Sequence, residues 1–242
     1  MKEILFLVTV FLTNIIQCVT GFAGTVLAMP VSVILVGFGT AKPILNIMGL
    51  LASVWVAAFN FRNINRKEFA KIMGIMFIGM AAGIYIRPYF ESNVSLLYKT
   101  LGAIVILFAV MNAVKFYTGK EEKHIPEPLS IVLLLVAGTV HGMFVCGGPL
   151  LVTYAGEKMR DKNEFRATLS AVWVVLNSII LATDIHAGYF NGNVIKLTVI
   201  STAVLAAALV LGNLIAKKLS RSVFLQLTYI LMLISGILLF IK

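Results

Sequence analysis

Apolar residues in this chain gather in long runs rather than alternating with polar ones. The runs cover approximately 4–38, 43–60, 72–86, 96–116, 129–155, 167–183, 194–216 and 222–241. Runs of about 16–23 residues suit helices that cross a hydrocarbon core of roughly 30 Å, at 1.5 Å of rise per residue. A β-barrel would show segments of roughly 10 residues with alternating polarity, and that pattern is absent. Two of the runs are interrupted. The stretch "TVHGMFVCGGPLLVTY" (139–154) carries Cys146-Gly147-Gly148-Pro149 in its middle, and the first run is broken between Gly21 and Pro30. Glycine and proline are the poorest helix formers, so each break needs a reason.

The order of features repeats. A polar segment with two prolines, "YTGKEEKHIPEP" (117–128), separates two halves, each with a broken run followed by three ordinary ones. Within the halves, "KPILN" (42–46) aligns with "RATLS" (166–170), and Asn63-Ile64 aligns with Asn193-Val194. This predicts one all-α polytopic membrane domain made of two repeats, 1–117 and 129–242. The segment 118–128 is the linker. Each repeat is a broken helical hairpin followed by three transmembrane helices.

Charge sets the expected orientation. Basic residues crowd the loop 61–71 but not its counterpart near 184–193, and they crowd 156–166 and 217–221 but not the counterparts of those loops. Corresponding loops therefore belong on opposite sides, since Lys and Arg concentrate in cytoplasmic loops. Placing 61–71, 115–128, 156–166 and 217–221 in the cytoplasm puts 14 of the 20 Lys and Arg residues there. The repeats then have inverted topology, and the linker is cytoplasmic. Each broken run must enter and return on one side, turning near Gly21–Gly24 in the first and near Cys146–Gly148 in the second.

Composition narrows the class. Sixty per cent of the residues are hydrophobic and 12% are charged, against about a quarter charged in a soluble domain. The formal charge of +10 lies in short loops between apolar runs, which speaks for membrane topology and against nucleic acid. The opening "MKEILFLVTVFLTNIIQCVTGFAG" has too long an apolar stretch for a signal peptide and bears Glu3 near its start. It is expected to be retained. Cys18 and Cys146 form no CxxC or Cys/His cluster, so no metal or other cofactor is expected.

Non-helical backbone at membrane depth survives only where it is buried in protein or lines a watery cavity. Glycine permits φ > 0 and close approach of a ligand to the backbone. Pro149 suits the first turn of a new helix, whose free N–H groups and dipole favour an anion. Two such turns meeting at mid-membrane would make a donor-rich pocket. The candidate substrate-binding residues are Thr20, Gly21, Gly24 and Thr25 at the first break, and His141, Gly147 and Gly148 at the second. Asn46, Ser170 and Asn177 join them from the helices that follow. His141 is the histidine set inside an apolar run and is a candidate for proton handling, with protons as a candidate coupling ion. Lys42 and Arg166 hold equivalent repeat positions and are expected to draw anions into opposite vestibules. Asp184 is expected at a wetted helix end, and Trp55 and Trp173 as interface or packing residues.

These breaks also carry a family resemblance. The paired segments "GFAGTVLAMP" (21–30) and "GMFVCGGP" (142–149), followed by "RATLS" with "NGNV" (191–194) and more loosely by "KPILN" with "RNIN" (62–65), resemble the sulfite exporter TauE/SafE family of membrane permeases. The first copy departs from the family's run of glycines, with Thr25, Val26 and Leu27 in its place. The resemblance implies a transporter, as an exporter, of a small sulfur-containing anion such as sulfite or an organosulfonate, in a bacterial or archaeal inner membrane. One repeat would rock against the other around a shared site. Rival readings are a non-transporting assembly or anchoring protein and an intramembrane enzyme. The latter lacks HExxH, Gly-x-Ser-x-Gly, a paired intramembrane Asp and a P-loop.

Overall fold

The computed structural model of the chain describes residues 1–20, 23–118, 126–159 and 161–216, and beyond these only positions 226, 230, 233, 234, 236, 237 and 240. The described residues are helical and contain no strand. The helices are α1 (Lys2–Thr20), α2 (Ala23–Val36), α3 (Phe38–Asn60), α4 (Arg66–Ser92), α5 (Val94–Thr118), α6 (Glu127–Phe144), α7 (Gly148–Lys158), α8 (Lys162–His186) and α9 (Gly192–Ala216), with a 3-10 turn at Phe61–Asn63. Residues 119–125 of the expected linker, and most of the expected last helix at 222–241, lie outside the described residues.

Both interruptions fall where the pattern placed them. The first run divides between Thr20 and Ala23, and the second between Phe144 and Gly148. Two ordinary helices start earlier than their apolar runs, because polar caps carry them beyond the hydrophobic stretch. Asn65 accepts a hydrogen bond from the Glu68 N–H at 3.0 Å and opens α4 at Arg66. Asp161 accepts from the N–H groups of Asn163 and Glu164 at 2.9 and 2.8 Å and opens α8. Side-chain oxygens at the N-cap satisfy N–H groups that lack an intrahelical partner, so basic segments that read as loop become first turns.

Five described segments are long and apolar enough to cross a membrane: Phe38–Asn63, Arg66–Ser92, Glu127–Phe144, Asn163–His186 and Gly192–Gly212. Their outer faces carry large apolar side chains, including Phe59 at 71% exposure, Ile78 at 64% and Val199 at 66%. A water-facing surface would not hold so much apolar area. The chain is a multi-pass helical membrane protein.

The tightest helix crossing joins the two halves. Gly79 and Gly83 on α4 face Gly138 and Gly142 on α6. A Cβ at these positions would lie 2.1–2.4 Å from the carbonyl oxygens of Leu135, Thr139, Met76 and Met80 respectively. Only glycine permits this approach, as in small-xxx-small crossings between membrane helices. Its counterpart is α1 against α9, where Gly212 abuts Cys18. Helices α3 and α8 cross at the centre, α2 packs along α1, and α7 folds back on α6.

Polar contacts define two ends. At one, Lys71 on α4 pairs with Glu127 at the start of α6, the Tyr154 hydroxyl on α7 donates to Glu68 at 2.7 Å, and Asn65 donates to Glu164 at 2.6 Å. The start of α6 and the later turns of α7 thus lie at the same end, so the second broken run goes in and comes back. At the other end the start of α3, the ends of α4 and α8, and the α8–α9 loop come together.

Candidate functional site

The middles of α3 and α8, at Gly49, Ser53, Trp173 and Asn177, enclose a small cavity together with both helix breaks. Gln17 and Thr25 reach it from the first break, and His141, Val145 and Gly148 from the second, with Val26 completing the wall. The cavity volume is about 20 Å³. That is room for roughly one water molecule. Helix α7 begins here, so its first turn, whose N–H groups lack intrahelical acceptors, borders this space, and the described start of α2 lies beside it. Gly147 caps α7 without any side-chain bond to its free N–H groups.

The wall contains unpartnered polar atoms. His141 is 3% exposed and lies 2.9 Å through Nε2 from Asn177 Oδ1, while its Nδ1 has no partner. An amide oxygen only accepts, so Nε2 carries the hydrogen, and Nδ1 of the neutral ring is a bare acceptor. The Trp173 ring lies against His141 with centroids 4.9 Å apart, and its Nε1, also buried, has no partner. Buried polar groups are nearly always satisfied, and an orphan in a native site calls for an explanation. Asn46 donates to the Asn177 backbone oxygen at 3.0 Å, and its own Oδ1 is left over.

Of the residues expected at the site, Thr25, His141, Gly148 and Asn177 line the cavity. Asn46 and Ser170 are buried beside it but outside its wall. Thr20 closes α1, and Gly21 lies outside the described residues. Gly24 serves packing: a Cβ there would meet Gln17 Oε1 at 2.3 Å, so the glycine lets α2 lie over the side chain that reaches the cavity. Gly147 needs correction. Its backbone is right-handed, with φ −69°, and a Cβ would lie 2.2 Å from the Ala137 carbonyl oxygen. It is glycine because α6 and α7 touch there, and the left-handed turn falls on Val145, φ 58°. Pro149 stands in the first turn of α7, as expected.

Gln17, Val26, Gly49, Ser53, Val145 and Trp173 are the wall residues that the candidate set left out. Trp173 read as a packing residue, yet it stands three residues after Ser170 and four before Asn177. That spacing puts all three on one helical face, which was the available signal.

The family profile of sulfite exporter TauE/SafE matches residues 5–239. The chain belongs to the TauE/SafE family. No curated protein matches it, and no solved structure does. TauE/SafE membership agrees with a multi-pass transporter and with the absence of enzyme motifs among the residues.

Away from the cavity, the TauE/SafE chain has a second polar cluster that overturns two expectations. Lys42 and Asp184 are both 0% exposed and paired with each other. Arg87 Nη1 donates to the same Asp184 oxygen at 3.1 Å, and Arg87 Nε lies 3.2 Å from Glu91. The Tyr189 hydroxyl donates to Glu91. Lys42 Nζ and the Arg87 guanidinium sit 5.3 and 5.6 Å from the Tyr189 ring centroid. Burial, then the bond to Glu91, holds the Tyr189 phenol above its ordinary pKa. Asp184 is thus no wetted helix end, and Lys42 presents no free charge to a vestibule. Each finds its counter-ion across the α3–α8 crossing, because an isolated charge in that interior would cost several kcal/mol or more. Phe38, Phe90 and Phe144 stack edge to face beside this end, with centroids 6.2 and 6.3 Å apart.

Arg166 is half-buried and donates to the Cys18 backbone oxygen at 3.1 Å. It stands 18 residues before Asp184 on α8, or roughly 27 Å along the axis. The two repeat-equivalent cations therefore lie on opposite sides of the cavity.

Proposed function

We propose that this chain is a secondary transporter of a small sulfur-containing anion such as sulfite or an organosulfonate, exporting it by alternating access through the cavity between the two breaks. The observation that carries the reading is that helix segments at the breaks of both halves border one cavity, with the unpartnered Trp173 Nε1 in its wall. Trp173 Nε1–H, the free N–H groups of α7, and the Asn177 amide suit an anion's oxygens. No fixed charge lines the wall, so binding strength would come from donors and helix dipoles. Family membership supports the sulfur oxyanion.

The inverted-repeat reading has support of its own. Exchanging α1, α2, α3 and α4 with α6, α7, α8 and α9 turns the α1–α2 pair into α6–α7 and the α1–α9 pair into α6–α4, and leaves α3–α8 unchanged. The helix pairing maps onto itself. The cavity's size suits a closed intermediate, since an oxyanion needs more space than one water and the walls must part to admit it. A cell membrane of a bacterium or archaeon fits this role.

The test is flux in proteoliposomes. Sulfite and methanesulfonate, supplied separately, should cross with wild-type protein. Trp173→Phe, which keeps the ring stack and removes the donor, should slow flux about tenfold, since a lost charge-assisted hydrogen bond is worth about 1.5–3 kcal/mol. Absence of flux for both anions would overturn the reading. Wild-type rates in Trp173→Phe would move the site away from the cavity.

A further inference from the structure

The buried cluster of Lys42, Arg87, Asp184, Glu91 and Tyr189 has no part in the cavity wall, yet it lies on the same polar stripe. On α3, Lys42, Asn46, Gly49 and Ser53 follow at helical spacing, and the last two line the cavity. Seven residues separate Lys42 from Gly49, roughly 10 Å of helix rise. Asn46 stands between, with its Oδ1 unpartnered. On α8, Asp184 and Asn177 answer them from the other side.

Asp184 is bound in an unusual way. One of its oxygens takes both cations, Lys42 and Arg87. The other, Oδ2, is buried without a partner. The two cations otherwise meet Glu91 and the face of Tyr189. If the aspartate is set aside, the remaining side chains carry two positive charges and one negative. They would accept one monovalent oxyanion, charge for charge, in the place of the carboxylate.

We propose that Lys42 and Arg87 form a second anion site in series with the cavity, which the Asp184 carboxylate occupies in this conformation and exchanges with a sulfur oxyanion in transit. A sulfonate or sulfite offers the same kind of acceptor oxygens as a carboxylate, with a third oxygen for the donors that Asp184 serves poorly. The arriving anion takes Lys42 and Arg87, and Asp184 is released. When the anion departs, the carboxylate returns and the end of the bundle closes again. The tether of Asp184 to α8 makes it the better competitor until a free anion arrives at high local concentration. The exchange rests on the transport reading, whereas the anion affinity of the cation pair is testable apart from it.

The experiment is thermal unfolding of detergent-purified protein in sodium methanesulfonate, against gluconate at the same ionic strength, which is too large for the space a carboxylate leaves. Asp184→Ala should unfold earlier than wild type in gluconate and recover on the order of 5 °C in methanesulfonate, because a ligand that binds only the folded form stabilises it. The double variant Asp184→Ala with Lys42→Met should lose that specific recovery. Recovery in Asp184→Ala no larger than in wild type overturns the proposal, and it does so even if wild type still transports. Recovery without any wild-type flux keeps the anion site and overturns its place in transport. If Asp184→Ala does not fold, Lys42→Gln decides, with Asp184 still held by Arg87. Its KM for methanesulfonate should rise about tenfold, with binding in the cavity, read from Trp173 fluorescence, unchanged. An unchanged KM overturns the proposal.

Discussion

Lys42 and Arg166 hold the same place in the two halves and live in different surroundings. Lys42 is fully buried, paired with Asp184, and backed by Arg87, Glu91 and Tyr189. Arg166 is half-buried and donates to the Cys18 backbone oxygen. One end of the α3–α8 crossing is closed by four charges in mutual contact and a trio of phenylalanines. At the other, the α8 cation rests on a neutral carbonyl, beside the Lys71–Glu127 pair and the Asn65–Glu164 bond. The sequence symmetry is thus broken by the partner, Asp184, because Asn60 stands at the corresponding place on α3 under the alignment of Lys42 with Arg166. In the proposed transport cycle, opening at the Lys42 end requires rearranging a largely buried ionic cluster.

Substitutions can break or sharpen that contrast. The largest effect should come from Lys42→Met, which leaves buried Asp184 with one cation. Losing one partner of a buried pair costs about 3–5 kcal/mol, measurable as an earlier midpoint on titration with denaturing detergent. Adding Asp184→Leu to it should restore much of the loss, since an apolar pair of similar volume is often neutral. A loss near zero in Lys42→Met would mean that the two ends are alike. Next, Arg166→Met should cost about 2 kcal/mol, the worth of a hydrogen bond from a charged donor. If it matched Lys42→Met, the asymmetry would lie elsewhere. The smallest effect should be that of Tyr189→Phe. It removes the donor to Glu91 and keeps the ring under both cations, at about 1 kcal/mol. A cost equal to that of Lys42→Met would make Tyr189 the keystone of the cluster instead of its cover.

Much of the fold was legible because it rests on patterns with a length scale. Among the described residues, apolar runs long enough to cross a bilayer became helices, and the second glycine-containing break became a helix end. The starts of α4 and α8 were missed by several residues, because Asn65 and Asp161 cap helices that begin in basic, polar sequence. At the site, Thr25, His141, Gly148 and Asn177 were recognisable as polar or small residues where lipid would allow none. Trp173 was not, since its ring looks apolar and the orphaned Nε1 appears only once the neighbours are in place. Gly147 was assigned to ligand approach from its place in a glycine-proline break that has a counterpart in the other half. What it touches is the Ala137 carbonyl, a contact made by residues ten apart in sequence whose separation in space depends on how α7 folds back. The pairing of Lys42 with Asp184 spans 142 residues, beyond the reach of any local pattern.

The glycine crossing of α4 on α6 determines what can move. Four backbone-level contacts weld a helix of the first half to a helix of the second, and sliding them apart would open a gap no side chain could fill. In a cycle of the proposed kind, α4 and α6 would therefore move together, a pair that takes one helix from each half. The α1–α9 contact would hold a second such pair. Motion would then fall to the surfaces between the two pairs, such as the α3–α8 crossing.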